Sequence, residues 1–501
     1  MAKEKTAQEV FEELSADSKP YIDRAKDFAS YGLSFEFNDD PSGTAESEEE
    51  HQSIVARGIG NLSNKMMNTL FPVGLSFVRL VVPEAARAEL KAAGQLEAAE
   101  EKLAGIERTI SRFLESIHFR VSGNSACTQL IMTGNALVYI TENGIKVYKL
   151  YDYVVRRDGF GNVLEIVTVD HVGYQALPED IQRRVKEDED GSEIYDVFTH
   201  IKLFKNKYKV YQEIEGEKIP GTEDEYDADA LPWIPLRYSK TDGEHYGRGH
   251  TERYIADIRN LDALSKAIID MSQLASRVIV LVNPDGVTMV RDLANAQNGD
   301  YIIGRPEDVR CLQLDKTMDL QLAYKTAYDI EQRLGRAFLL SDTVQQNKER
   351  QTATEVRLMV NALDETLGTV YSLQTLEFQV PLVKAVMNIL IKNKSIPDIA
   401  ELVSPTIISG LAALGRENDL QKMQIFLEFL KGIPETAAYL KNGAVLKSIG
   451  TNLGIDLEGI LKTSEEVAQE KQQEQMMMMA QSAAPQVVSA MAQGIQNQGG
   501  Q

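Results

Sequence analysis

His245 and His250 come nearest to a metal pair in this chain, and their spacing argues against one. Five residues apart, they share neither a helical face nor a strand face, and the six histidines are scattered. Asp188 and Asp190 precede Gly191 as in a calcium loop, but the other acidic ligands and the closing glutamate of such a loop are missing. Asp227 and Asp229 could bridge a divalent cation, the arrangement a metal-dependent nuclease would use. Within the run from Glu223 they read more simply as an exposed acidic loop. A nucleotide-driven motor needs a Gly-Lys-Ser/Thr phosphate loop, whose amides and lysine cradle the phosphates, and the dipeptide Gly-Lys does not occur. There is no Gly-x-Ser-x-Gly elbow and no His-Glu-x-x-His helix. No catalytic residue, metal or cofactor is therefore expected, and an enzyme is not the reading. Cys127 and Cys311 stand in apolar settings and are expected to be buried, reduced thiols.

The elements that would hold any site are dominated by one feature. After His-Tyr-Gly-Arg-Gly-His from His245, apolar residues recur every three or four positions at Tyr254, Ile258, Leu261, Leu264, Ile268, Met271 and Leu274. The run stops at Asn283-Pro284-Asp285-Gly286. A helix of about 28 residues would be roughly 42 Å long, more than most globular domains need. A second helical run spans Leu320–Leu340. Between them lies a small α/β insert with strands expected at Val278–Val282, Tyr301–Ile303 and Val309–Leu314 and a short helix near Val290–Ala296. Two long rods joined by a tip suggest a strut rather than a pocket; an ordinary core helix pair is the plainer alternative.

Before the strut, Val55, Ile59, Leu62, Met66 and Leu70 mark one helix face, closed by Pro72. Leu75–Val82 reads as a strand, and Pro83 opens a long helix striped by Leu103, Ile106, Ile110, Phe113 and Ile117. An antiparallel meander follows. Its hairpins turn at Asn143-Gly144, where tolerance of positive φ is the signal, at Asp158–Asn162 and at Lys205–Lys207. Ser42–Glu50 and Glu179–Gly191 read as charged, solvated segments. After the strut, Thr352 and Glu355 form a capping box for a helix reaching about Lys392, which Gly368 and Pro381 should kink. Shorter helices with glycine-rich breaks follow from Pro405 to Leu461. Beyond Thr463 the chain is rich in Gln and Met and reads as a frayed helix passing into disorder.

The 501 residues could fill about three domains. No opening apolar run suggests a signal peptide, and no stretch approaches the ~20 apolar residues a membrane helix needs. A soluble product of a reducing cytoplasm is expected. With 53 basic residues against 75 acidic ones, a net charge of −22, a general DNA-gripping surface is not expected. An acidic wall would instead keep a duplex from adhering inside a confined bore, although acidity also simply maintains solubility.

Eight blocks carry a resemblance. They are ARGIGNLSNKMMNTLFP from Ala56, PWIPLRYSK from Pro232, HYGRGHTE from His245, ASRVIVLVNPDGV from Ala275, NGDYIIGRPEDV from Asn298, ERQTATEVR from Glu349, ETLGTVYS from Glu365 and PTIISGLAALGRENDL from Pro405. In this order, over about Tyr21–Leu461, the chain resembles the head-to-tail connector, or portal, of short-tailed double-stranded DNA bacteriophages (podoviruses). It departs from that pattern at both ends and in the acidic stretches.

The resemblance implies an α+β, mainly α-helical fold: a wing (1–249), a two-helix stem (250–282 and 319–340), a small α/β clip (283–318) and a tunnel loop (341–352). A kinked wing helix (353–403), a helical crown (404–470) and the Gln/Met-rich tail (471–501) complete it. It implies a ring, of twelve copies in the family, at one vertex of the virion head, assembled in the bacterial cytoplasm, through which double-stranded DNA enters and leaves. Implied partners are the terminase large subunit, tail adaptor or nozzle proteins, major capsid and scaffold proteins and internal core proteins, with no membrane. A virion adaptor or scaffold without a channel is the alternative. On this reading Gln345, Gln346, Asn347, Lys348 and Arg350 form the channel loop. There Lys348 and Arg350 either touch phosphates, irrespective of sequence, or pair with acids of a neighbouring subunit. Arg333 and Arg336 are candidates for a channel-facing stem surface, and Asp285, Arg291, Arg305, Glu307 and Asp308 for clip docking.

Overall fold

The computed structural model describes residues 5–32, 50–72, 76–177, 179–182, 194–276, 279–312, 317–340, 367–397 and 404–407. The chain divides into two compact units, Met1–Leu411 and Ala412–Gln501, and every described residue belongs to the first.

Helix α1 (Ala7–Ala29) begins at a capping box: Thr6 Oγ1 accepts the Glu9 N–H at 3.2 Å while Glu9 accepts the Thr6 N–H at 3.0 Å. Helix α2 (Ile54–Leu70) buries Val55, Ile59, Leu62, Met66 and Leu70, the stripe its spacing predicts. Strand β1 (Val78–Val81) follows. The single helix expected after Pro83 is two, α3 (Glu84–Ala92) and α4 (Leu96–Ser116), parted at Gly94, whose φ is +68°. The apolar stripe belongs to α4 alone. Helix α5 (Phe119–Thr133) is buried over most of its C-terminal half.

The strands after α5 form two sheets rather than one meander. Strands β2 (Asn135–Ile140) and β3 (Ile145–Tyr148) make the expected hairpin. Neither Asn143 nor Gly144 has positive φ, however. Thr141 Oγ1 instead accepts the Asn143 and Gly144 N–H groups, a hydroxyl-built turn. Strands β4 (Tyr153–Arg157), β5 (Val163–Gly173), β6 (Ile194–Phe204) and β7 (Lys207–Ile214) lie antiparallel in order, with the short helix α6 (Glu179–Gln182) between β5 and β6. Strands β8 (Glu217–Lys218) and β9 (Asp224–Asp227) both pair with β7. Strand β10 (Trp233–Arg237) returns to β2, with Trp233 stacked on its cross-strand partner Tyr139 at 4.2 Å. That pairing makes β2 central, which is why almost all of it is buried and why it leaves the larger sheet.

Helix α7 (Ile255–Ser276), strand β11 (Ile279–Val282), helix α8 (Val290–Asn295), strand β12 (Val309–Leu312) and helix α9 (Thr317–Ala337) make up the rods and their tip. Helical residues 367–374 run through a π-helical turn, Thr375–Gln379, into α10 (Val380–Lys392). The wide turn sits just ahead of Pro381, where the kink was expected. Strand β13 (Ser404–Ile407) pairs antiparallel with β1, so this segment is tied to the body.

The main core joins α2, α5, β2, β10, α10 and the base of the two rods. Phe71 sits at its centre, edge-on to Phe77, Phe119 and Phe378 at 4.9, 4.6 and 5.2 Å. A smaller core seats α1 on the large sheet through Val10, Leu14 and Phe198.

Candidate functional site

Helices α7 and α9 pack side by side, most closely toward their base. Ile258 and Leu261 of α7 and Ala327, Ile330 and Leu334 of α9 are buried there. Farther out Ile269, Leu274, Met318, Leu322, Tyr324 and Tyr328 are exposed. At about 100° per residue, Leu322 falls on one side of the Ala327–Ile330–Leu334 seam and Tyr324 and Tyr328 on the other, with Met318 nearly opposite the seam. The second rod is thus apolar on both flanks. The first rod is shorter than the periodicity predicts, with 22 residues and a length of about 33 Å. The turn ahead of it, Thr251–Tyr254, is 3-10 helical, and the strand expected at Val278–Val282 is β11, where the β-branched Ile279, Val280 and Val282 favour that conformation. Arg333 Nη2 bonds Asp257 Oδ1 across the rods at 2.8 Å, and Arg336 is exposed.

Three of the quoted blocks, one from α2 and two neighbours around residues 232–252, converge where the rods meet the body. In the first, Asn61 Nδ2 donates to the Phe338 and Leu339 carbonyls at 3.1 Å each, and Lys65 Nζ donates to the Leu339 carbonyl at 2.6 Å. A cation and an amide thereby satisfy carbonyls that the end of α9 leaves without helical partners. Burial lowers the Lys65 pKa. In the second, Tyr238 lies buried with its hydroxyl 3.0 Å from His250 Nδ1. In the third, His250 Nε2 lies 3.0 Å from the Ala337 carbonyl. Because a carbonyl only accepts, Nε2 carries the hydrogen and Nδ1 accepts from Tyr238. Burial holds the His250 pKa below its ordinary value. The same block is anchored by Thr251 Oγ1 to the Met132 carbonyl at 2.6 Å and by Gly247 N–H to Asn135 Oδ1 at 2.6 Å. The joint therefore fixes the root of the first rod and the end of the second, immediately before residue 341.

A buried charge cluster braces the same region. Arg237 Nε donates to Glu377 Oε1 at 3.2 Å, and Gln374 Nε2 donates to the Arg237 carbonyl at 2.7 Å. Arg157 is also buried and gives its hydrogen bonds to the carbonyls of His245, Gly161 and Pro235; burial brings its pKa down to about 10.

At the tip, Asp308 is buried, so it is not an exposed docking residue. Its Oδ2 accepts from Val287 N–H, Thr288 N–H and Thr288 Oγ1 at 2.9, 3.2 and 3.1 Å, closing the loop after β11. Asp285, Arg291, Arg305 and Glu307 are exposed. The strand expected at Tyr301–Ile303 is absent; these residues are exposed and pair with nothing described. Cys127 is buried, with its thiol pushed up to about 12 by burial, whereas Cys311 is exposed, contrary to expectation.

Gln345, Gln346, Asn347, Lys348 and Arg350, like Asp188, Asp190 and the Thr352–Glu355 capping box, lie outside the described residues. Asp227 and Asp229 do not converge: one faces Lys207 at 3.6 Å and the other Lys384 at 3.3 Å. His245 Nδ1 accepts the Arg157 N–H at 3.2 Å. Among the described residues no group of three or more His, Cys, Asp or Glu is placed to hold a metal ion, and no helix is long and apolar enough to cross a membrane.

A rod hairpin rooted in a rigid joint and ending in a small tip is the frame of a structural connector. Residues 4–461 match the family of the bacteriophage head to tail connecting protein, and the chain belongs to that family. It is similar to the portal protein of Escherichia phage T7, at 39% identity over 98% of this chain and 93% of that one. The portal protein of Enterobacteria phage T3 is 38% identical over 92% and 89%, and that of Enterobacteria phage SP6 27% identical over 92% and 90%. Among solved structures, the neck of an empty gene transfer agent particle aligns loosely, at a TM-score of 0.41 and 10% identity over 81% of this chain and 91% of that one.

Proposed function

We propose that copies of this chain close into a ring at one vertex of the phage head, forming the channel through which double-stranded DNA is packaged and ejected. Residues 1–249 serve as the wing, 250–282 and 319–340 as the stem, 283–318 as the clip, 341–352 as the tunnel loop, and 353–403 as the kinked wing helix. Residues 404–470 form the crown and 471–501 a tail. Twelve copies follow from the family resemblance, as do the terminase, tail adaptor, capsid, scaffold and internal core partners.

The observation that carries this reading is the second rod's two apolar flanks. Large apolar side chains left in water on both sides of one helix call for cover on both sides. A head-to-tail ring supplies it, because each subunit then presents two different complementary faces. The charge of −22 suits a bore that passes DNA without binding it tightly. Lys348 and Arg350, which follow the second rod in sequence, supply phosphate contacts that carry no sequence information.

Cryo-electron microscopy of the purified protein tests the reading. Two-dimensional averages should show closed rings with a central opening. A monomer, or a particle without an aperture under every assembly condition tried, would overturn it.

A further inference from the structure

The tip contains a strand without a sheet and a sheet without its third strand. Strands β11 and β12 form an antiparallel pair, Ile279↔Leu312 to Val282↔Val309, and nothing described covers either outer edge. An isolated two-stranded ribbon is marginal in water. The two strands differ in kind. Strand β11 is Ile-Val-Leu-Val without interruption, the pattern of a strand covered on both faces and flanked on both edges. Its Val280 and Leu281, which point to opposite faces, are both exposed. Strand β12 carries Arg310, a charge of the sort that blunts a true sheet edge. The missing neighbour therefore belongs beside β11.

Tyr301-Ile302-Ile303 has the complementary defect. Three consecutive apolar residues again match a strand covered on both faces, and the sequence predicts a strand here. In the chain Tyr301 is 103% and Ile303 85% exposed, and none of the three makes a hydrogen bond to a described residue. The segment is held at both ends: the Asp300 N–H donates to the Gln297 carbonyl at 3.0 Å and the Arg305 N–H to Thr288 Oγ1 at 3.0 Å. It is therefore presented outward and does not fold back onto its own ribbon.

We infer that Tyr301–Ile303 of one copy adds to the free edge of β11 in the next copy, giving a three-stranded sheet shared between subunits. The occupant is a second copy of this chain, because one tip supplies both the unpaired segment and the unpaired edge. A head-to-tail repeat satisfies both around a closed ring. The inference rests on the ring reading and assigns one of its contacts.

Two measurements on assembled protein test it. Hydrogen exchange should find the amides of Tyr301–Ile303 slowed by at least tenfold in assembled rings relative to free chains. In a Cys311→Ser chain, Ile302→Cys combined in turn with Val280→Cys and with Leu281→Cys should, on oxidation, give ladders of linked subunits in at least one pairing. Rings whose 301–303 amides exchange as in free chains would overturn the shared strand and leave the ring intact. Slowed exchange with no ladder in either pairing would assign the segment elsewhere and overturn it equally. Failure to form rings in the unsubstituted protein overturns the ring reading and this contact together.

Discussion

The phenyl ring of Phe338 closes directly over Gly58: a methyl group built at that glycine would stand 2.6 Å from Phe338 Cγ. The contact joins the end of the second rod to the middle of α2. It leaves no room for any side chain, because the clashing atoms are the root of the ring rather than a mobile tip. Gly58→Ala should therefore destabilise the body by about 1–3 kcal/mol, the usual cost of overpacking a filled core. Urea denaturation monitored by circular dichroism checks this, and unchanged stability would mean that the ring moves aside freely.

His250 makes the joint sensitive to acid. Burial holds it neutral in the folded chain, while in the unfolded chain it takes up a proton below about 6.5. Its contribution to stability is thus full above that pH and is lost as the pH falls from 6.5 towards the depressed folded value. The charged and titratable groups facing it are Arg253, Tyr238 and Tyr254. His250→Gln should be less stable than the parent at pH 7.5 and lose less on acidification to pH 5. Parallel pH profiles for the two would remove His250 as the source.

Asp152 works in the opposite direction. Burial first, against His171 and nearby lysines, raises its pKa from 3.8 to about 6. The folded chain therefore keeps a proton that the unfolded chain gives up, and stability is lost as pH rises from 3.8 to 6. Asp152→Asn should gain on the parent across that window by about 2 kcal/mol, at 1.36 kcal/mol per unit and discounted for partial exposure. Thermal melts at pH 4 and pH 6.5 give the comparison, and a gain of the same size at both pH values would contradict the assignment.

Glu377 is the carboxylate bonded to buried Arg237, with Arg157 close enough to feel its charge. Removing its charge leaves two buried guanidinium groups without a partner anion, and breaking such a pair costs about 3–5 kcal/mol. Glu377→Gln keeps the shape and should lower the urea midpoint by a corresponding amount. A shift near zero would show that the cluster is wet and screened.

How much of this was legible follows from where the information lies. Periodicity located α2, α4, α7 and α9 because burial of one face repeats along each helix, and β11 and β12 because their apolar runs are short. It merged α3 with α4 because Gly94 is a single residue inside an acceptable pattern. Helix α1 carries a local signal of its own in the capping box of Thr6 and Glu9. The joint left none of its own: Asn61, Lys65, Tyr238 and His250 are unremarkable one by one and become a site only when the chain closes on itself. Its residues fall within three of the blocks that carry the resemblance, but the resemblance implied no role for them. At Asp308, the resemblance implied a docking residue, whereas three hydrogen bonds turn it inward.

On the proposed ring reading, Lys348 and Arg350 belong to the channel loop. As phosphate contacts they would narrow the bore without fixing sequence, so Lys348→Ala with Arg350→Ala should leave rings intact and reduce the retention of packaged DNA. Electron microscopy of the rings and quantification of nuclease-protected DNA in particles check the two halves. Retention equal to that of the parent would sink the contact and favour pairing with a neighbour's carboxylates.

The flanks of the second rod give the most direct test of the ring, because Leu322 and Tyr328 lie on opposite sides of the seam and bury little within their own chain. Lysine at either position should leave the isolated chain folded, with a melting temperature within a degree or two of the parent, since surface substitutions away from packed features are nearly neutral. Each variant should nevertheless remain monomeric, because a charge at one face disables that face in every interface of a head-to-tail ring. Mixing then separates this geometry from a symmetric one. Tyr328→Lys keeps the Leu322 side intact, and Leu322→Lys keeps the Tyr328 side, so an equimolar mixture has one sound interface and should stop at dimers. Native mass spectrometry reads the outcome. Rings from either variant alone would show that these flanks face solvent, and a mixture that stays monomeric would show that the two flanks do not belong to successive faces of one repeat.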